Sequence, residues 1–415
     1  MVHHRTFINL FWLYAGLALV AAVTAHAGAE TFVEKNGLRL VSVSSPRQSR
    51  LHLHVLITAG SSMDRDDRSG VAWLTGMAVA RGGTKSLSAR EVDRALSRLD
   101  INLNQWVDRE FFHLSLSLPS RNLYQTSRLL ADILFNPALD EEALKNAKAE
   151  KKKTQGREQP DPSSELAAVF FRDLPFVHPV RPSEERLSAV TLEDIIRFHR
   201  ERYVPANTII AFTGPLQSNR VVREFRASMF GFAGESESAK PSARFEPWGL
   251  MTLAFHETKP GRSAVLAGMP GPGPDAEGWQ DWISSFYAMA DPLRVSLERE
   301  GLRPSREAWL RAGYLAGGRI MFEIALEVDS EHARKAAAIL RREIPKAREI
   351  TDASDRRRRP AGSSGRTNVP VKDVLMRYCI DQAMGQPEEI SAAWVEAASL
   401  ADPQAWKSLL MPATD

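Results

Sequence analysis

Residues 70–77 read Gly-Val-Ala-Trp-Leu-Thr-Gly-Met, and the interpretation of the whole chain rests on them. Trp73, Leu74 and Met77 recur at three- and four-residue spacing, which is typical of the apolar face of an α-helix that packs into a core. The run contains no histidine, cysteine or carboxylate, so it offers no acid–base group and no good zinc ligand. We therefore predict a buried helix whose face is filled by packed side chains.

The segments around this helix predict a sheet covered by helices. Four segments have strand character: residues 37–43, 51–59, 111–118 and the run that ends at Gly214. Three segments have helical periodicity: residues 88–99, 140–154 and 192–202. This mixture predicts an α+β domain over residues 30–230.

The second half of the chain repeats the first in outline. Residues 231–246 are rich in Ser, Gly and Ala, which predicts a linker. Strand-like segments at residues 253–255 and 264–269 precede a Gly-Pro turn and further helices. The sequence therefore predicts a second, divergent and shortened domain over residues 247–415.

The order of these segments resembles the M16 family of zinc peptidases, the group of insulinase, pitrilysin and the mitochondrial processing peptidases, over roughly residues 32–345. In that family the helix at residues 70–77 carries the inverted zinc motif H-x-x-E-H. The resemblance implies two similar M16-like (LuxS/MPP-like) halves, each a mixed or antiparallel sheet with helices packed on one face.

The resemblance also implies where the zinc site of the family would fall. Its histidine ligands correspond to Trp73 and Met77, its general base to Gly76, and its glutamate ligand to Thr154, shortly before the turn at Asp161-Pro162. Indole has no lone pair for a metal, glycine has no side chain, a thioether is too soft for a hydrolytic zinc, and a hydroxyl poorly replaces a carboxylate. We therefore predict no catalytic residue, no metal site and no cofactor in this chain, with zinc on a partner subunit.

A peptide-binding segment of the family corresponds to residues 297–305 in the second half. Family members often carry an arginine and a tyrosine there, whereas this chain has Glu300 and Pro304. Arg299 and Arg303 remain as candidate groups for a peptide carboxylate. The alternative is that both are exposed arginines at a helix end.

Histidines on the predicted strands offer a different metal hypothesis. His52 and His54 point to one face of a strand because side chains alternate, and His113 lies on another strand. In the right register, the three imidazoles would meet and bind a metal unrelated to the family site. The alternative is that they are solvated or interface histidines on the polar face of a sheet.

The first 29 residues predict a secretory signal peptide. His3, His4 and Arg5 precede an apolar stretch over residues 7–23, followed by small-residue cleavage sites at residues 25–27 and 27–29. We therefore predict export across the inner membrane to the periplasm. An uncleaved membrane anchor is the alternative, because the apolar stretch is near the lower length limit for a spanning helix.

Charge and cysteine content exclude other classes of function. The formal net charge of +3 gives no basis for nucleic-acid binding. The run Arg356–Arg359 lies beside Pro, Gly and Ser residues and predicts a solvated linker, with an anionic surface as the alternative partner. Cys379 is the only cysteine, so no internal disulfide forms.

Together these observations predict a non-catalytic M16 homologue in the cell envelope. The resemblance implies a partner, because short members with two halves often work as dimers in which one chain holds zinc and the other closes the peptide chamber. The expected substrate is a peptide or unfolded polypeptide. Two alternatives stay open: a solitary peptide-binding or scaffold protein, and a residual hydrolase with a relocated metal at His52, His54 and His113.

Overall fold

A computed structural model describes residues 29–44, 48–65, 67–154, 178–180, 182–234, 252–271, 290–302, 309–315, 319–344 and 371–383. The predicted signal peptide up to residue 28, most of the linker and the run Arg356–Arg359 lie outside these ranges. Within them, no helix combines the length and the apolar character that crossing a membrane requires.

The first domain is built on a six-stranded mixed sheet. Its strands are β1 (Ala29–Val33), β2 (Arg39–Val43), β3 (Leu51–Ile57), β4 (Asn102–Val107), β5 (Phe112–Leu118) and β6 (Thr208–Thr213). They lie in the order β1-β2-β6-β3-β5-β4. β2 and β6 are parallel, and the other neighbouring strands are antiparallel.

One face of this sheet is covered by helices of the same domain. These are α1 (Val71–Arg81), α2 (Ala89–Arg98), α3 (Leu123–Phe135), α4 (Glu141–Thr154), α5 (Glu184–Ala189), α6 (Leu192–Arg202) and α7 (Ser218–Met229). Alternate residues of β3 and β5, such as Val55 and Leu114, pack with Leu74 of α1 in the main core. Helix α1 also packs against α4 and α6, so it lies between the sheet and other helices.

The second domain is built on a four-stranded antiparallel sheet. Its strands are β7 (Thr252–Lys259), β8 (Arg262–Gly271), β9 (Trp309–Leu315) and β10 (Arg319–Asp329), in the order β7-β8-β10-β9. Helices α8 (Ala290–Arg299) and α9 (Ala333–Glu343) pack against each other, and α9 contacts β8 and β10. The α+β architecture predicted from the sequence, with a mixed and an antiparallel sheet, is confirmed.

The other face of the first sheet is covered by a helix from the far end of the chain. Helix α10 (Val371–Ala383) packs against β3 and β6, and its side chains Leu375, Tyr378 and Cys379 are buried there. The Cys379 thiol donates a hydrogen bond to the carbonyl oxygen of His54 at 3.3 Å. Arg39 of β2 donates from Nη1 to the carbonyl oxygen of Gln382 at 2.6 Å. The first domain is therefore completed by residues that follow the second domain in sequence.

Replacement of Leu375 by alanine tests how firmly α10 is docked. Leu375 is 0% exposed, so removing its methyl groups leaves a cavity against the sheet and should lower the free energy of unfolding by about 2–5 kcal/mol. The matched control is Val374→Ala on the half-buried neighbouring residue, with an expected cost below about 1 kcal/mol. Denaturant unfolding measures both, and equal costs would contradict tight docking.

Candidate functional site

Helix α1 is held at its N-terminus by a carboxylate from the preceding loop. Asp64 accepts hydrogen bonds from the backbone N–H groups of Gly70, at 2.6 Å, and Ala72, at 2.7 Å. Gly70 has a φ of 104°, a left-handed conformation that glycine adopts without steric cost. A Cβ at Gly70 would also lie 2.6 Å from Cδ2 of Leu187, so only glycine fits at this position without moving a neighbour.

The carboxyl group of Asp64 titrates in an unusual range. Its side chain is 6% exposed, and this burial raises its pKa to about 6. The hydrogen bonds from Gly70 and Ala72, and the nearby His178, act in the opposite direction and only reduce the shift. A group that stabilises the start of α1 therefore changes its charge slightly below neutral pH.

Gly76, which occupies the position of the family general base, faces the sheet at very short range. A Cβ built at Gly76 would lie 2.7 Å from Cγ2 of Val107 on β4 and 3.0 Å from Cδ2 of Phe112 on β5. Atoms in protein cores are close-packed and do not approach this closely without displacing a neighbour. The room that a glutamate would need is therefore filled by the sheet.

Trp73 and Met77 lie on either side of Gly76 in α1. Trp73 is 9% exposed and belongs to the main core. Met77 is half-buried, and its Sδ accepts a weak hydrogen bond from Nε2 of Gln105 on β4 at 3.5 Å. Neither side chain offers a ligand suited to a catalytic zinc, and no side chain fits at Gly76, so these residues do not fit the metal of the family.

Thr154, the fourth predicted position, is the last residue of α4. Helix α4 packs against α1, so the fold does bring the segment that carries Thr154 to the helix that carries Trp73 and Met77. A position of Thr154 beside Trp73 and Met77 stays a prediction.

The two arginines proposed for peptide binding are placed differently. Arg299 is exposed at the C-terminal end of α8, whereas Arg303 lies outside the described residues. Glu300, at the position of the family arginine, forms ion pairs with Lys335 Nζ at 3.3 Å and Arg342 Nη1 at 3.8 Å. Glu300 is therefore engaged with α9, and a binding role for Arg299 stays a prediction.

Two of the three strand histidines come together in the structure. Nε2 of His54 lies 3.2 Å from Nδ1 of His113, and Nε2 of His113 lies 2.8 Å from Oδ2 of Asp108. His54 is 0% and His113 is 1% exposed. His52 is half-buried and outside this chain of bonds, and in the described part of the protein no three His, Cys, Asp or Glu residues are placed to hold a metal.

Asp108 is the member of this group that the sequence interpretation missed. It lies in the turn between β4 and β5, where its Oδ1 accepts from the backbone N–H groups of Glu110 at 2.8 Å and Phe111 at 2.7 Å. The side chain of Asp108 is 42% exposed, and its partial burial raises the pKa, but His113 and these N–H groups outweigh this effect and lower the pKa of Asp108. An aspartate five residues before a strand histidine, just ahead of the predicted strand over residues 111–118, was the available sequence signal.

Comparison with known proteins shows to which family this architecture is related. The sequence model of the insulinase family, peptidase family M16, matches residues 39–175. The chain is 23% identical over 195 residues to a probable mitochondrial-processing peptidase subunit beta of Arabidopsis thaliana, covering 46% of this chain and 36% of that protein. It is 24% identical over 250 residues to the zinc protease PqqE of Helicobacter pylori, covering 58% of this chain and 56% of that protein. The matched region thus spans less than two thirds of either relative.

A solved structure has a similar fold over nearly the whole chain. A crystal structure of a peptidase M16 inactive domain from Pseudomonas fluorescens superposes with a TM-score of 0.73 and 16% identity, covering 92% of this chain and 94% of that one. At this identity the superposition establishes the fold alone. Residues 39–175 match the M16 family by sequence, the chain shares the fold of that solved M16 domain, and the predicted resemblance to this family is confirmed.

Introducing the family glutamate at Gly76 should damage the fold instead of restoring a site. Gly76→Glu forces a carboxylate against Val107 and Phe112, and we expect a loss of at least about 3 kcal/mol in the free energy of unfolding from overpacking and an unpaired buried charge. Arg81→Glu, on the exposed last residue of the same helix, is the control and should cost under about 1 kcal/mol. A stable Gly76→Glu protein would show that the contact is not restrictive.

The pKa of Asp64 predicts a pH-dependent difference between two proteins. A carboxyl whose pKa is 3.8 when unfolded and about 6 when folded stabilises the protein fully below pH 3.8 and loses this effect as the pH rises through 6. Relative to Asp64→Asn, the unfolding free energy of the unsubstituted protein should therefore fall by up to about 3 kcal/mol between about pH 4 and pH 7.

Denaturant titrations at four pH values measure this difference. The same substitution at Asp67, an exposed residue of the same loop, is the control and should follow the unsubstituted protein. Parallel stability curves for Asp64→Asn and the unsubstituted protein would refute the assignment.

Proposed function

We propose that this chain is a non-catalytic M16 homologue that pairs with an active M16 zinc peptidase and helps to enclose and bind its peptide substrates. The observation that carries the proposal is the position of Gly76, where the space for a general base is filled by Val107 and Phe112. Trp73 and Met77 supply no zinc ligand on either side of it. Loss of the ligands and of the space for the base is inconsistent with an independent hydrolase of this family.

A partner subunit supplies what this chain lacks. In the pair, the active chain would hold the zinc, the attacking water and the general base, and this chain would supply walls of the peptide chamber. One relative is named as a subunit of a peptidase, and one solved structure is described as an inactive M16 domain. These names concern other proteins, but they support a division of labour within the family.

The edge of the first sheet is the surface we expect to contact a peptide. β4 is the last strand of the described sheet, and its side chains Asn102 and Asn104 are exposed. An edge strand presents backbone N–H and C=O groups with which an extended peptide can pair, while pockets beside the strand select side chains. The bond between Gln105 and Met77 places this edge beside α1.

We also propose that the mature protein works in the periplasm. The predicted cleavage sites end at Ala27 and Ala29, and β1 begins at Ala29. Cleavage after Ala27 leaves β1 whole, whereas cleavage after Ala29 removes its first residue. N-terminal sequencing of protein from a periplasmic fraction decides between these sites, and an intact Met1 would instead indicate a retained anchor.

Affinity capture from the native envelope fraction tests the partner. We expect mass spectrometry to identify a peptidase with an H-x-x-E-H motif at about one copy per chain, because a subunit complex has fixed stoichiometry. Recovery of the chain alone, or only with unrelated proteins, would contradict the pairing.

Metal analysis and hydrolysis assign the chemistry within the captured pair. The pair should contain about one zinc and cleave a reporter peptide, while each chain alone is inactive. Replacing the glutamate of the partner motif by glutamine should abolish cleavage without releasing this chain. Cleavage that survives this replacement would locate a catalytic site in the chain described here.

A further inference from the structure

The chain of hydrogen bonds from His54 through His113 to Asp108 lies on the opposite side of the first sheet from α1. Val55 points to α1, so His54, the preceding residue of β3, points to the layer that α10 covers. We propose that these three residues form an acid-sensitive lock, which lets α10 dock at neutral pH and releases it when His54 takes up a proton. This proposal is independent of any partner or peptidase role.

With both imidazoles neutral, the hydrogen bonds define which nitrogen atoms carry protons. The carboxylate of Asp108 accepts from Nε2–H of His113, which leaves Nδ1 of His113 to accept from Nε2–H of His54. Nδ1 of His54 is then unprotonated, and it is buried without a hydrogen-bond partner in the described part of the protein. It is the open end of the chain, and a further proton would bind there.

A proton at this open end would create a cation in an unfavourable place. Burial, and secondarily the neighbouring His113, hold the pKa of His54 well below its usual value. Asp108 is separated from His54 by the ring of His113, which stacks on Trp106 with ring centroids 4.6 Å apart. Burial, and secondarily the neighbouring Asp108, raise the pKa of Glu110 well above its usual value.

Charged or titratable side chains on the elements around this layer complete the electrostatic setting. They are Arg109 and Glu110 of the β4–β5 turn, His52 of β3, Arg39 of β2, and Arg377, Tyr378, Cys379 and Asp381 of α10. Arg377 and Asp381 pair with each other, with Nε and Oδ2 2.7 Å apart. Burial raises the pKa of Cys379 to about 12, so its thiol is neutral and offers no anion to His54.

Because α10 covers the layer that contains His54, protonation of His54 and release of α10 are coupled. The thiol of Cys379 donates to the carbonyl oxygen of His54 in the docked state, and Tyr378 and Leu375 seal the layer. When α10 moves away, water reaches the imidazole and a proton binds with the ordinary pKa of a histidine. The open state therefore binds more protons than the docked state, and each pH unit below about 6.5 favours opening by up to about tenfold.

The reactivity of Cys379 reports this opening directly, because it is the only cysteine in the sequence. The mature full chain would be labelled with 4,4′-dithiodipyridine, a disulfide reagent that reacts in acid, from pH 7 to pH 5. Each rate is divided by the rate for the same chain unfolded in urea, which removes the pH dependence of the thiol chemistry. We expect the normalised rate to rise at least about tenfold over this range.

Substitution of His54 tests whether the pH dependence of Cys379 labelling comes from His54 or from a general loss of stability in acid. His54→Gln keeps an N–H donor for His113 but has no titratable nitrogen, so its normalised rate should be nearly independent of pH. His52→Gln is the matched control, since it removes a half-buried imidazole two residues away on the same strand and should retain the rise. Equal pH dependence in His54→Gln and the unsubstituted protein would overturn the proposal.

Hydrogen exchange in the unsubstituted protein gives a test that needs no variant. After correction for intrinsic exchange, acid should accelerate exchange in residues 371–383 before it affects residues 123–135 of α3. Simultaneous acceleration in both helices would mean global unfolding and would overturn a local lock. The same conclusion would follow if neither helix responded to pH.

Discussion

The distance between α1 and the first sheet is set by a residue that has no side chain. At Gly76, the helix lies directly on Val107 and Phe112, and the position of α1 in turn determines where α4 and α6 pack. Asp64 and Gly70 hold the start of the helix so that this contact is made at one place along its length. A helix that lies this close to a sheet gains packing but leaves no room for a side chain at Gly76, the position of the family general base. The absence of a glutamate at Gly76 and the close approach of α1 to the sheet are thus linked, because a larger side chain at this position would push the helix away.

The two faces of the first sheet bury different kinds of side chain. The face toward α1 is apolar, and its alternating residues form a continuous core. The face toward α10 also buries two imidazoles. They form a hydrogen bond with each other, and His113 forms a second one with the carboxylate of Asp108. Buried polar groups are tolerated when each finds a partner, and among the described residues Nδ1 of His54 has none. The residues of the proposed lock therefore lie on the side of the sheet away from α1.

The sequence predicted the elements whose signal is local. The helical period over residues 88–99 corresponds to α2, and the alternation over residues 111–118 corresponds to β5. Contacts between distant segments were not accessible in the same way. The meeting of His54 with His113 depends on the register in which His54 pairs with Ser115 and Leu56 pairs with His113, which a single sequence does not specify. The sequence of α10 does not specify which surface the helix covers, because an apolar face such as that of Leu375, Tyr378 and Cys379 could pack on many surfaces.

The late position of α10 in the chain constrains how the first domain is completed during synthesis. Val41, Leu56 and Ile209 belong to segments that emerge early, yet the helix that covers them starts only at Val371. Until that point is translated, a nascent chain with all strands of the first sheet presents an apolar surface to its surroundings. Such surfaces bind chaperones and promote aggregation. A chain truncated before residue 371 would lack α10 and keep this apolar surface exposed. Burial of this face of the first sheet therefore depends on a segment that is translated late.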